Sequence, residues 1–311
     1  MKRHLIIDAN NLLYRSFWVA NQYGKDDDNK QELFIFLRAV KAYVELYKPI
    51  DKVWCAWDAR LAYPLGNFRS EIAQDEYKGG RNNEKFKQVY ENVDELKSML
   101  TDMGVQSVYP YRMEADDLMA WLSDNVDGES VIVSSDKDML QLVNDYVTVY
   151  NPMAKKEYTV SNFEEMTSFT TPNDYFWFRC FTGDKSDNIP GIPRFGIKKY
   201  LKIAPDTAPE KVVESVDNYD IKDEQKEIVR RNFELMNLHY GYTVYKEETI
   251  TYRAQFHQSL DTNNWDRFKS KCIDLEFFAI VNKIGEWKKL FTDENPLVDS
   301  INKLIKEKIK I

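Results

Sequence analysis

The acidic residues of this chain gather in five clusters, most of them at the end of an apolar run. Asp8 follows His-Leu-Ile-Ile, Asp58 follows Val-Trp-Cys-Ala-Trp, and Asp136-Lys-Asp138 follows Val-Ile-Val-Ser-Ser; Glu114-Ala-Asp116-Asp117 and Asp184-Lys-Ser-Asp187 complete the set. Short β-rich runs punctuated by a carboxylate and followed by a helical pattern put that carboxylate at the carboxyl end of a parallel strand, where open α/β sheets bind ligands. Nine like charges then share one crevice. Ionised carboxylates in close company repel and raise one another's pKa, so such a crevice needs compensating positive charge. An oxygen-only donor set suits a hard cation, Mg²⁺ with Mn²⁺ as a substitute, rather than zinc or copper. So many carboxylates predict two ions, the arrangement that clamps the attacking and leaving oxygens of a phosphoryl displacement. Two-metal phosphodiester hydrolysis is the chemistry expected.

Positioning those carboxylates requires alternating strands and helices. Strand-like runs fall near 4–8, 53–58, 105–109, 130–134 and 146–150. Between them Leu33, Phe34, Leu37, Val40, Val44 and Tyr47 recur at helical spacing, as do Phe86, Val89, Val93, Leu96, Leu100 and Met103; both read as core-facing stripes. The pattern predicts an α/β core with a parallel sheet over residues 1–170. From Pro172 onward strand signals thin out, which predicts a mostly helical region over 171–311, with Pro190, Gly191, Pro193 and Gly196 marking tight turns and Pro205 to Pro209 a further break. The Gly-Lys-Asp-Asp-Asp-Asn stretch at 24–29 reads as a solvated loop.

Composition narrows the function classes. At 311 residues and 43% hydrophobic, the chain has material for a sizeable core. No apolar stretch is long enough for a membrane span, and Met-Lys-Arg-His runs into Asp8 too soon for an export signal, so a cytoplasmic protein is expected. Cys55, Cys180 and Cys272 have no metal-ligand spacing and fit buried thiols; His4, His239 and His257 lie away from every acidic cluster, leaving little material for a triad or a histidine-bound metal. The formal charge of −8 opposes nucleic-acid binding at first sight, but without the nine clustered carboxylates the remainder is close to neutral.

Three segments carry further signals. Glu114-Ala-Asp116-Asp117 opens a helix, where carboxylates suit the dipole as well as a metal, and Glu114 and Asp117 share a face. Gly183 to Lys199 joins two carboxylates three residues apart to a hairpin of short helices, whose glycine turn at Gly191 and Gly196 can offer backbone N–H groups to a phosphate, with Lys198 and Lys199 adding charge. Between Asp58 and Phe86, Arg60, Tyr63, Phe68, Arg69, Tyr77, Lys78, Arg81 and Lys85 read poorly as core; basic and aromatic residues together suit a single-strand channel. Arg15, seven residues after Asp8, adds a candidate phosphate contact. Asp136-Lys-Asp138 also matches the strand-end Asp-x-Asp of haloacid-dehalogenase-type phosphatases, although that motif usually ends a first strand and Asp8 already does so here.

Taken in order, Asp8-Ala-Asn-Asn11-Leu-Leu-Tyr14-Arg15, Trp57-Asp58, Glu76-Tyr77-Lys78-Gly-Gly-Arg81, Glu114-Ala-Asp-Asp117, Ser134-Ser-Asp-Lys-Asp-Met139 and Gly183-Asp-Lys-Ser-Asp-Asn-Ile-Pro-Gly191 resemble the 5′ nuclease family: flap endonucleases, the 5′ nuclease domain of bacterial DNA polymerase I, and stand-alone phage exonucleases, the phage ribonuclease H type included. The resemblance implies a helical arch near 60–90, a helix-hairpin motif near 183–202, and Mg²⁺-dependent cleavage of 5′ flaps and of DNA or RNA annealed to DNA, as in primer removal. It implies a first metal group of Asp8, Asp58, Glu114 and Asp116, a second of Asp136, Asp138, Asp184 and Asp187, and Asp117 between them. Lys78 and Arg81 resemble the basic pair at the base of the arch, with Tyr77 and Lys85 beside them on the strand's path. Gly191, Arg194, Gly196, Lys198 and Lys199 resemble the hairpin that grips duplex DNA by its backbone, often around K⁺; Arg194 stands where the family commonly has glycine, and Phe195 where it has an aliphatic residue. The implied partners are branched DNA and RNA–DNA hybrids, with a clamp or single-strand binding protein for the Ile301, Leu304, Ile305 and Ile309 stripe, and the implied form is a free-standing monomer. The rival expectations are a phosphatase with Asp136 as nucleophile and a non-catalytic, structure-selective DNA-binding protein.

Overall fold

The computed structural model describes residues 1–22, 30–58, 68–73, 88–110, 113–203, 215–244 and 263–292. Strand β1 (Arg3–Asp8) buries Leu5, Ile6 and Ile7 completely, so both of its faces are covered, as in a parallel sheet flanked by helices. The chain continues through α1 (Ala9–Gln22) and α2 (Gln31–Tyr47) to β2 (Lys52–Ala56), then α3 (Phe68–Ala73), α4 (Val93–Asp102) and β3 (Gln106–Val108). Helix α5 (Ala115–Asn125) returns it to β4 (Glu129–Val133); a 3₁₀ turn at Lys137–Leu142, β5 (Val147–Asn151) and β6 (Lys156–Tyr158) follow. The sheet order is β3-β2-β1-β4-β5-β6, with β6 alone antiparallel. Each expected strand is present within two residues of its expected bounds; the three-residue β6 is an addition with too few residues to show a period.

Two consequences of this order matter for the site. The chain leaves β1 toward β2 and β3 on one side and comes back to β4 on the other, so the order reverses beside β1, and the carboxyl ends of β1 and β4 flank the resulting crevice. The period of two also sorts side chains into two layers. Leu5, Ile7, Val53, Cys55, Val131 and Val133 pack with α1, α2 and α4, while Ile6, Trp54, Ala56 and Ile132 pack with α5.

The second half is helical, as expected: α6 (Phe163–Thr167), α7 (Pro172–Thr182), α8 (Ile197–Ile203), α9 (Asp223–Met236), α10 (Leu238–Val244), α11 (Trp265–Asp274), α12 (Phe278–Val281) and α13 (Ile284–Phe291). Thr171 caps α7 by accepting the Asp174 N–H, with Pro172 in the first turn. The apolar layer on α5 takes in Phe176, Trp177, Phe181, Val229 and Leu235, so it runs unbroken across residue 170. Trp265, Phe268 and Trp287 join the opposite layer, beside Leu33 and Phe36. Asp102, fully buried at the end of α4, anchors that attachment through Arg267 Nε at 2.6 Å and Lys271 Nζ at 2.8 Å. The helical region therefore clasps both faces of the sheet.

Two expectations need correction. Phe68 and Arg69 do not line a channel: α3 is packed inside, with both side chains at 2% exposure or less. The segment after α7 does not begin as a helix either. Gly183–Asp184 (β7) pairs antiparallel with Ile189–Pro190 (β8), residues 185–188 turn between them, and one helix, α8, follows. Tyr77, Lys78, Arg81 and Lys85, the 24–29 loop, most of the expected arch, the Pro205–Pro209 break, His257 and the stripe at 301–309 lie outside the described residues. Among the described residues no helix is long and apolar enough to cross a membrane.

Glycine is obligatory in the β7–β8 pair. Gly183 has φ +66°, and a Cβ on Gly191 would sit 2.1 Å from the carbonyl carbon and oxygen of Thr182 at the end of α7. Both neighbours are backbone and have no room to yield. Gly191→Ala is expected to cost about 2–3 kcal/mol by overpacking, read as a fall in the urea unfolding midpoint; an unchanged midpoint would contradict the close approach.

Candidate metal centre

Asp8 ends β1 and is held in place before any ligand arrives. Its Oδ1 accepts the Asn11 N–H at 2.9 Å, and its Oδ2 accepts the Ser134 hydroxyl at 2.8 Å, from the residue just after β4. Ser134 Oγ in turn accepts the Asp136 N–H at 3.0 Å, and Ser135 Oγ donates to Asn11 Oδ1 at 2.8 Å. These bonds stitch the two strand ends across the switch point. Burial pushes the Asp8 carboxyl up to about 7 against the pull of those donors, and the charges of Asp136 and Asp58 push the same way.

Asp58 lies two residues beyond β2 and accepts the Ala115 N–H at 2.9 Å, which ties it to the first turn of α5. Glu114 caps that helix, Asp116 is half-buried in its first turn, and Asp117 faces inward. Asp117 has strong partners of its own within the protein. It is fully buried, and Arg69 takes both its oxygens, through Nη1 at 2.5 Å and Nη2 at 2.6 Å; the Glu114 N–H adds a bond at 3.0 Å. Arg69 Nε also donates to the Leu235 carbonyl at 2.7 Å, and Nη1 lies 3.7 Å from Glu114. Held by three donors, Asp117 is a strut that ties down Glu114 and joins α5 to α3 and, through Arg69, to α9.

The second cluster sits on the other side of Asp8. Asp136 accepts the Asp138 N–H at 2.8 Å and caps the 3₁₀ turn, which Gln141 fastens to α9 and α10 through the Met236 carbonyl at 3.0 Å and the Leu238 N–H at 3.1 Å. Asp184, in β7, and Asp187, in the turn after it, face this group from the helical half. Asp136 is raised by desolvation and then by Asp187 and Asp184, though its side chain stays open to solvent at the crevice mouth, which screens part of the shift. Asp138 is pushed up to about 7, by burial first and Asp136 second, despite its pairing with Arg179. Asp184 goes the other way: burial raises it, but the Ser186 bonds and the Arg179 charge outweigh that and hold it below the usual carboxylate range.

Mutual charge effects thus run without a break from Asp58 through Asp8 and Asp136 to Asp138, Asp184 and Asp187. Among the described residues no three His, Cys, Asp or Glu side chains converge closely enough to chelate an ion as they stand. The carboxylates are held by Ser134, Arg179 and backbone N–H groups. The donor set still fits a hard divalent cation, since it is all oxygen and two of its members, Asp8 and Asp138, are raised by burial and by the carboxylates around them.

Arg15 lies on α1 and donates to Tyr43 Oη on α2 at 2.5 Å. In the segment of the expected hairpin, Gly191 is half-buried, while Arg194, Gly196, Lys198 and Lys199 are exposed. Arg194 has φ +56°, a left-handed conformation that explains why glycine suits this position. Lys199 lies over the Phe195 ring, 5.1 Å from its centroid. Sequence reading missed Arg69 as a strut and Arg179 as an internal counter-charge. For Arg179 a signal existed, a lone cation five residues before Asp184; for Arg69 there was none, because its partner Asp117 is distant in the chain.

A family model described as 5'-3' exonuclease, N-terminal resolvase-like domain, matches residues 3–168, more than half of the chain. The chain belongs to the 5'-3' exonuclease family. A 5'-3' exonuclease of Buchnera aphidicola is 29% identical over 201 residues, 63% of this chain and 68% of the relative. DNA polymerase I of Lactococcus lactis is 28% identical over 302 residues, 87% of this chain but 33% of the polymerase, so the chain spans about a third of that relative's length. Among solved structures, a bacteriophage T5 flap endonuclease in a pseudo-enzyme-product complex with DNA and metal ions aligns with a TM-score of 0.60 at 18% identity, covering 83% of this chain and 99% of that one. The T5 5'-exonuclease with bound zinc gives 0.59 at 18% identity, covering 88% and 99%. At that identity the likeness is one of fold. It accords with the α/β architecture, and the 5'-3' exonuclease family match covers Asp8, Asp58, Glu114, Asp116, Asp117, Asp136 and Asp138, leaving Asp184 and Asp187 to the helical half.

Two outcomes follow from these geometries. Asp117→Asn removes one charge of a buried pair and is expected to destabilise the fold by about 3–5 kcal/mol, because Arg69 is left buried without its counter-charge; denaturant unfolding with a loss below 1 kcal/mol, about the worth of a surface pair, would contradict the strut. The second concerns pH. A carboxyl raised in the fold binds its proton more tightly folded than unfolded, so Asp8 and Asp138 lower stability as pH rises from the ordinary value of 3.8 toward about 7, while the lowered Asp184 contributes in the opposite sense at the acid end. In EDTA the melting temperature is expected to fall across that window, and excess Mg²⁺ is expected to raise it most at the upper end, where the ligands are deprotonated. A melting temperature that rises through the window in EDTA would contradict the assignment.

Proposed function

We propose that this chain is a structure-specific 5′ nuclease that hydrolyses phosphodiester bonds in 5′ flaps and in DNA or RNA strands annealed to DNA, with two Mg²⁺ ions and Mn²⁺ as a substitute. The observation that carries this reading is the unbroken run of interacting carboxylates across the β1/β4 switch point, in a chain of the 5'-3' exonuclease family. Asp8, Asp58, Glu114 and Asp116 would hold the first ion, and Asp136, Asp138, Asp184 and Asp187 the second. When bound, the ions supply activation of water and neutralisation of charge at the leaving 3′ oxygen.

The chain's own residues do the rest. Ser134 and Asn11 fix the Asp8 carboxylate, and the Arg69–Asp117 pair fixes the start of α5, so that the elements carrying the first four proposed ligands are anchored. Lys78 and Arg81 are proposed to neutralise the phosphoryl oxygens, with Arg15 on α1 as a further contact and Tyr77 and Lys85 along the strand's path. Exposed Lys198 and Lys199 on α8, with Arg194 and the turn between Gly191 and Gly196, would grip duplex backbone, which positions the substrate without reading its sequence. Primer removal on replicating DNA would place the protein in the cytoplasm of a bacterial or phage-infected cell.

Asp136→Asn is the direct test, since Asp136 is solvent-open and its loss spares the buried network. Cleavage of a 5′-labelled flap in Mg²⁺ is expected to fall by at least about 10²-fold, the scale set by losing one preorganised electrostatic group, with DNA affinity by gel shift largely retained. Cleavage at the wild-type rate would remove Asp136 from the centre.

A further inference from the structure

The second acidic group carries a cation of its own. Arg179, in the last turn of α7, approaches Asp138 Oδ1 with Nε at 3.2 Å and Nη2 at 2.8 Å, and its Nη2 also pairs with Asp184 Oδ2. Asp184 Oδ1 meanwhile accepts the Ser186 N–H at 2.7 Å and the Ser186 hydroxyl at 2.5 Å. Both Asp184 oxygens are therefore engaged, whereas the guanidinium grips Asp138 by one oxygen. The three side chains are only 15–17% exposed, so their attraction is weakly screened by solvent. Arg179 is also fixed from behind, because its carbonyl accepts the Gly183 N–H at the end of α7, one residue before Asp184. An arginine cannot vacate such a place by losing its proton, and its planar fork suits two carboxylates at once.

We infer that Arg179 is a built-in competitor for the second divalent ion. It holds Asp138 and Asp184 together in the metal-free protein and must release Asp184 before that carboxylate can become a ligand, which makes the second ion bind more weakly than the first. The inference rests on the two-ion reading above, and it gives Arg179 a positioning role. One group leans on an internal cation, while Asp8 in the other leans on neutral donors.

Mn²⁺ titration of the DNA-free protein, followed by electron paramagnetic resonance and calorimetry, tests this without any activity readout. Arg179→Gln is expected to tighten the weaker of two Mn²⁺ sites by about tenfold, within the 5- to 150-fold range of typical site couplings, to leave the tighter site unchanged, and to lower the melting temperature in EDTA. Arg179→Lys, which can hold only one carboxylate at a time, is expected to fall between wild type and Arg179→Gln, and it carries the comparison if Arg179→Gln does not fold in EDTA. Wild-type protein that takes up two ions while neither variant binds the second more tightly would overturn the inference alone. Wild-type protein that takes up a single Mn²⁺ would overturn the two-ion reading and the inference with it.

Discussion

Repulsion among carboxylates gathered at one end of a parallel sheet is the constraint on which the rest of this structure depends. Each acidic side chain is placed by an element with its own structural reason to end there, a strand terminus for Asp8, a helix cap for Glu114, a 3₁₀ cap for Asp136 and a two-residue strand for Asp184. None of those local reasons removes the cost of bringing like charges together. The protein meets that cost with three devices. Burial favours the protonated forms of Asp8 and Asp138, Arg69 and Arg179 supply internal charge, and neutral donors such as Ser134 and backbone N–H groups supply hydrogen bonds.

The two arginines solve the same problem to different ends. Arg69 is buried with Asp117 in a bidentate pair whose value is geometric: removing either partner strands the other, so the pair holds α3, α5 and the end of α9 in one arrangement. Arg179 lies nearer the crevice mouth and is shared between two carboxylates that a divalent ion would also claim. One arginine therefore fixes the scaffold behind the proposed first metal group, and the other is shared by two carboxylates of the proposed second. This asymmetry is absent from the list of acidic positions, in which all nine look alike.

The helical half supplies two of the nine clustered carboxylates. Asp184 and Asp187 are delivered by the β7–β8 pair, which exists because Gly183 and Gly191 allow backbone against backbone. Asn232 on α9 locks that pair by donating to the carbonyls of Cys180 and Pro190. Gln141 does the same for the 3₁₀ turn that carries Asp138. The second carboxylate group is thus assembled across the sheet and helical halves, and the continuous apolar layer spanning residue 170 keeps the two in register.

Local pattern determined much of this protein. The parallel strands, the amphipathic helix at 31–47 and the placing of carboxylates at strand ends were legible because each depends on a short period or a boundary within a few residues. The 5'-3' exonuclease family assignment was legible too, because the acidic motifs keep their order along the chain. Tertiary structure alone decided which partners each carboxylate meets. Asp117 is chemically the equal of Asp116, yet Arg69, 48 residues earlier in the chain, takes both its oxygens. Phe68 and Arg69 read as channel residues because a short basic-aromatic stretch has no period to betray burial, and α9 and α10 come from far along the chain to cover them. The charge state of a buried acid and the partner of a buried arginine are properties of neighbours in space, and the order of residues does not specify those neighbours until the chain has folded.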